Sequence, residues 1–291
     1  MPFSLPRSKE AVCSTRLQRP MVAWVPLHLD ASSELLANIV EGVTDWDIPN
    51  FESLSEFPIH VLPSTATYLL IQYRTPIQSF RSFGGREFDS ANYRHAATGL
   101  QRGIAELRPT GPIGMIGVRL RADTAAHLLG ERLRDLTDVK INLEEVFRAR
   151  DVSLLAERLA EAPSSQQRWV YAQQFLLANL CNRDPDQLVC RAAALIRRSP
   201  FLRVQSLAKH LSISERHLSR RFQCMFGISL KRFARAARVE KIVAGRRRGL
   251  SWAELAYTCG FADQAHMIND VSAITGETPN RAFGFRGLLA W

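Results

Sequence analysis

The sequence predicts two domains of different class: an α+β N-terminal domain, a curled antiparallel sheet or barrel with added helices, followed by an all-α domain containing two helix-turn-helix units. Three observations predict this. Between residues 58 and 120 the chain passes through short β-branched or aromatic segments broken by Pro, Gly or Ser, the pattern of an antiparallel barrel or sandwich. From Val204 to Phe226 it reads VQSLAKHLSISERHLSRRFQCMF, whose apolar spacing gives two short helices around a tight turn. Charge is also segregated: residues 188–291 hold 18 Lys and Arg against 6 Asp and Glu, a net of +12, whereas the preceding residues sum to −2.

A chain of 291 residues suits two domains, each large enough to bury a core. Its five cysteines include no CxxC pair, which predicts free thiols acting as small hydrophobes in a reducing compartment. The opening MPFSLPRSKEAV lacks a signal-peptide core, and no stretch approaches 18 apolar residues. The expected location is the cytoplasm, with no membrane contact.

Residues 1–19 read as a loose arm, 20–29 as a first strand, 31–40 as a short helix or continuing strand, and 45–55 as loop. Strands are expected at 58–62, 66–74, 78–83, 97–107 and 114–120. Helices follow at 124–129, 143–148, 152–160 and 164–181. The strand-rich N-terminal domain is thus placed at 1–181, a short polar linker at 182–187, and the basic helical domain at 188–291.

In the first helical unit Ser214 is the expected N-cap of the second helix. Arg216, Ser219 and Arg220 face away from Leu218 and Phe222, so they are the candidates for base edges. Lys209, His217, Arg221 and, on the following long helix, Arg238 are the candidates for phosphate. A second copy runs from Trp252 to Gly276, with Leu255-Ala256 answering Leu207-Ala208, Phe261 answering Ile213, and Gly276 answering Gly227. Gln264, His266 and Asn269 are its candidate base readers. Asp263 and Asp270, with no Lys or Arg beside them, are expected to repel phosphate and make this unit the weaker reader.

The runs LSISERHLSRRF with FGISLKRF, and GFADQAHM with ITGETP, resemble the DNA-binding domain of AraC-type bacterial transcriptional regulators. The resemblance covers about residues 188–281. It implies seven helices, two readers in successive major grooves of promoter DNA, and contact with RNA polymerase if the protein activates. In that family Asn269 stands where an Arg is usual, and Val271 where a Phe is usual. The segments GVRLRADTAAHLLGERLRDLTD and INLEEVF, with the helix that follows, resemble the sensor domain of one AraC-type subgroup. A turn that reads Leu-Pro-Asp-Gly in that subgroup is Leu62-Pro63-Ser64-Thr65 here.

Catalysis is not expected, because His28, His60, His95 and His127 show no HxH or HExxH spacing and no GxSxG or phosphate loop occurs. Neither metal nor cofactor is expected. Trp24, His28, Tyr68, Tyr73 and Arg94 are the candidate pocket for a small-molecule effector. The alternative is an N-terminal domain that serves only dimerisation or a protein partner. Trp169, Ala172, Leu176 and Leu180 form a helical stripe that suits either intramolecular core or a homodimer seam.

Overall fold

The computed structural model describes residues 34–49, 59–89, 92–180, 185–283 and 288–289. The expected strand at 20–29, and with it Trp24 and His28, lies outside the described residues.

Two five-stranded sheets form the N-terminal half. The first has the order β1 (Val40–Ile48), β8 (Ile113–Leu120), β3 (Thr67–Gln72), β6 (His95–Thr98), β9 (Lys140–Asn142). The second has the order β10 (Leu288–Leu289), β2 (Ile59–Val61), β7 (Ile104–Arg108), β4 (Gln78–Phe83), β5 (Arg86–Asp89). Pairing is antiparallel except between β10 and β2. The β4–β5 hairpin turns through Gly84 and Gly85, both at positive φ, as a tight two-residue turn requires. Strand β10 comes from the far end of the chain, so residues 288–289 pair with the N-terminal sheet although the sequence assigns them to the helical domain.

Strand alternation gives the first sheet two different faces. Leu69, Ile71, Ile116 and Val118 are buried in the main core with α3 (Ala149–Glu161) and α4 (Ser165–Ala178). The opposite face, with Thr44, Trp46, Leu70 and Met115, looks across a cavity to the second sheet. Helix α4 is fixed by the buried Arg168, whose guanidinium donates to Asp45 at 2.8 Å and Asp47 at 2.6 Å. Its apolar stripe is intramolecular: Ala172 and Leu176 are buried, and Trp169 and Leu180 pack against the same core.

Several local expectations are corrected. The predicted loop at 45–55 begins as strand, since β1 continues to Ile48. Its two aspartates oppose strand propensity, but Arg168, Arg74 and Tyr73 satisfy them. The single strand expected at 97–107 is two, β6 and β7, separated by a turn that ends at Gly103 with φ +85°. Strands β5 and β9 are too short and polar to register as strands in the sequence. After α2 (Ala126–Leu129) the chain tightens into a 3₁₀ segment, Gly130–Leu136, and the helix expected at 143–148 is a 3₁₀ turn at Leu143–Glu145.

The helical half comprises α5 (Gln187–Arg198), α6 (Val204–His210), α7 (Glu215–Phe226), α8 (Leu230–Arg247), α9 (Trp252–Thr258), α10 (Gln264–Thr275) and α11 (Pro279–Ala282). With α1 (Glu34–Ala37) these complete the helices among the described residues. One apolar core runs without a break from the first sheet into Phe222, Phe233 and Val271.

Candidate nucleic-acid interface and effector cavity

Helices α6 and α7 form the first unit, α9 and α10 the second, and their local geometry matches closely. Ile213 N–H donates to Ala208 O at 3.0 Å, and Phe261 N–H donates to Ala256 O at 2.9 Å. The residue before each, Ser212 or Gly260, has positive φ. Each second helix has a side-chain N-cap: Ser214 accepts from His217 N, and Asp263 accepts from His266 N. Each ends in a left-handed glycine, Gly227 or Gly276, the residue that bears this conformation without a Cβ penalty.

Arg216, His217, Ser219 and Arg220 are exposed on α7, as is Lys209 on α6, while Leu218 and Phe222 are buried beneath them. Gln264, His266 and Asn269 are exposed on α10 above Met267 and Val271. Counted from the caps, Arg220 and Asn269 occupy the same helical position. The His266 ring also stands edge-on to Phe261 at 5.3 Å.

The aspartates of the second unit are corrected. Asp263 lies outside α10 as its N-cap, where a carboxylate satisfies an orphan N–H and complements the helix dipole. Asp270 is 5% exposed and receives Arg235 Nε at 3.2 Å together with the Arg238 guanidinium. Neither is a free charge turned toward phosphate. Arg238 is corrected by the same geometry: besides Asp270 it donates to Pro200 O at 3.0 Å and lies over the Phe201 ring. Arg221 is likewise engaged internally, with two hydrogen bonds of 2.6 Å to Asp186. Burial favours a protonated Asp186, but Arg221 and the backbone N–H groups of Val189 and Leu188 hold its carboxyl below the ordinary range. The sequence placed Asp186 in the linker, and its contact with α7 was not foreseen there.

A cavity of about 100 Å³ lies between the two sheets, with walls from β1, β3, β8 and β9 on one side and β4 and β7 on the other. A smaller lobe of about 30 Å³ shares Leu70, Ser79, Leu107, Met115 and Lys140 with it. Of the three expected pocket residues that are described, Tyr68 lines it, with its hydroxyl 2.7 Å from Ser64 Oγ, and Tyr73 and Arg94 do not. Tyr73 is corrected to the opposite face, where its hydroxyl donates to Asp45 at 2.6 Å. Arg94 is exposed and donates to Arg74 O at 2.9 Å. The residues that sequence reasoning missed are Trp46, Ser79 and Lys140. Burial, reinforced by the nearby Arg81 charge, pushes the Lys140 ammonium down to about 8.

Residues in or next to two cavity walls touch the helical half. Beside Ser64, Thr65 donates its N–H and hydroxyl to the Glu240 carboxylate of α8, at 3.1 and 2.8 Å. Arg119 joins the same Glu240 and Glu41 at 3.0 Å each, and Arg197 of α5 also binds Glu41. Burial alone would raise the Glu41 pKa, but Arg119 and Arg197 hold it below its ordinary value. On the other wall Gly103 N–H donates to Ile274 O, in the last turn of α10, at 2.8 Å. The last turn of α7 is held too, by Thr137 Oγ1 donating to Phe226 O at 2.9 Å.

Among the described residues no group of His, Cys, Asp and Glu is placed to hold a metal ion, and no helix is long and apolar enough to cross a membrane. Residues 207–283 match the family model described as a helix-turn-helix domain. No curated protein sequence matches the chain. Among solved structures, ToxT from Vibrio cholerae O395 aligns over 79% of this chain and 94% of its own, at 11% identity and TM-score 0.45. An unsaturated fatty acid-bound ToxT from Vibrio cholerae strain SCE256 aligns over 86% and 96%, at 12% identity and TM-score 0.44. The AraC-like transcriptional activator CuxR aligns over 73% and 76%, at 14% identity and TM-score 0.24. Residues 207–283 are an AraC-type helix-turn-helix domain.

Proposed function

We propose that this chain is a sequence-specific transcriptional regulator that binds promoter DNA through α7 and α10 and is controlled by a small molecule held between the two N-terminal sheets. The observation that carries the reading is the pair of capped, glycine-terminated helices whose exposed faces bear Arg216, Ser219 and Arg220 in one case and Gln264, His266 and Asn269 in the other. Arg suits guanine, and Gln and Asn suit adenine, in the major groove. Exposed Lys209 and His217 remain for phosphate. The supporting observation for control is that Thr65, next to cavity-lining Ser64, hydrogen-bonds α8, and cavity-lining Gly103 hydrogen-bonds α10. A homodimer would read a doubled site, and an activator would also contact RNA polymerase.

The test is selection of binding sites from a random duplex pool with full-length protein, followed by Arg220→Ala on the selected site. Two short enriched blocks about one helical turn apart are expected. Arg220→Ala should cost about 1–3 kcal/mol on that site and far less on random DNA. Equal losses on both would make Arg220 a phosphate contact, and no enrichment would reject sequence-specific reading.

A further inference from the structure

Three polar groups of the cavity wall come from three strands. Trp46 Nε1 on β1 and Ser79 Oγ on β4 are buried without a hydrogen-bond partner, in residues that are 5% and 2% exposed. Buried polar atoms ordinarily have a hydrogen-bond partner, and these two have none among the described residues. Lys140 on β9 is the third, half-buried and without a carboxylate among the cavity-lining residues. An indole N–H and an ammonium only donate, and a hydroxyl can donate. The wall therefore offers donors and positive charge, and no negative charge answers them from inside.

The remaining wall is largely aliphatic, with Leu62, Leu70, Leu107 and Met115. Space is small: at about 100 Å³ the main lobe is below the ~150 Å³ of an apolar cavity that accepts benzene. Ser79 and Lys140 line both lobes, so the polar end of an occupant belongs where the lobes meet, with its apolar body in the main lobe.

We infer that the cavity binds a compact carboxylic acid with a short branched chain, its carboxylate on Lys140, Ser79 and Trp46. This rests on the proposed sensor role and gives it a ligand class. The depressed ammonium of Lys140 is consistent with the site, since a carboxylate would restore the charge that burial disfavours.

The test uses full-length protein with 2-methylpropanoate, 2,2-dimethylpropanoate and 3-methylbutanoate, each against its amide and against hexadecanoate, read by calorimetry and tryptophan fluorescence. At least one compact acid should bind about tenfold or more tightly than its amide. Lys140→Met and Ser79→Ala should each weaken it by about tenfold. Trp46→Phe, which keeps a ring and loses the N–H, should weaken it less. Thermal unfolding of each variant without ligand verifies folding. Binding of acid and amide alike, undiminished binding to Lys140→Met, or binding of hexadecanoate alone would overturn the assignment, as would no binding by any compact acid. DNA affinity with and without the acid separates the two claims. A Lys140-dependent ligand that leaves DNA affinity unchanged sustains the site and removes the sensor role.

Discussion

The seventh residue of each reading helix, Arg221 in α7 and Asp270 in α10, is an anchor of opposite sign. Arg221 ties α7 to the cap of α5 through Asp186, and Asp270 ties α10 to α8 through Arg235 and Arg238. By charge alone, Asp270→Arg would be expected to tighten DNA binding. In the fold it puts a third guanidinium against two others, and breaking a buried pair costs about 3–5 kcal/mol. Urea denaturation should show that loss, with weaker DNA binding following from it; full stability with tighter binding would reject the anchor. Its role was illegible in the sequence because its partners lie 35 and 32 residues away on another helix. The exposed Arg216, Ser219 and Arg220 were legible because helical periodicity alone separates them from Leu218 and Phe222. Lys140 carries a second expectation. The folded chain holds it near 8 and the unfolded chain near 10.5, so between those values the unfolded chain binds more protons and stability rises with pH. Lys140→Met removes that rise. The variant's advantage in thermal midpoint at about pH 7 should therefore shrink by about pH 10, and a constant difference would reject the buried charge.

Helices declared themselves in the sequence far better than strands. The limits of α4, α7 and α10 fall within a few residues of those expected, because apolar periodicity and capping residues agree on them, joined by a terminal glycine in α7 and α10. Among the strands the sequence did not show, β5 and β9 are held by neighbours more than by their own composition. The same reliance on neighbours appears at the end of α10. Gly276 has φ +77°, and a Cβ there would lie 2.3 Å from Gly84 N in the β4–β5 turn. Gly249 has φ +84° with open space around the corresponding point. Gly249→Ala should therefore cost only the left-handed penalty of about 1–2 kcal/mol. Gly276→Ala should cost clearly more, because the hairpin must also retreat. Equal denaturation midpoints for the two variants would mean that the hairpin yields freely.

For the whole molecule, the continuous apolar core and the Glu41–Arg119–Glu240 ion cluster join the sheet half to the helical half. The sequence marked a polar linker there and showed nothing of this surface, since it is assembled from residues as much as 175 positions apart. Thr137 and Gly103 each hold the last-turn carbonyl of one reading helix. On the proposed function, a domain whose described contacts with α7 and α10 lie at their far ends would set the gap between them, like a caliper with jaws of fixed opening. Such an instrument tolerates poor lettering within a block better than a wrong distance between blocks. Adding one base pair between the two blocks moves them by about 3.4 Å along the duplex and should reduce affinity more than a mismatch inside one block, which costs about 1–3 kcal/mol. A flat response to spacer length would mean that the jaws open on DNA. A spacer preference that changes when the cavity is filled would mean that the effector selects which promoters fit, and only secondarily how tightly they are held.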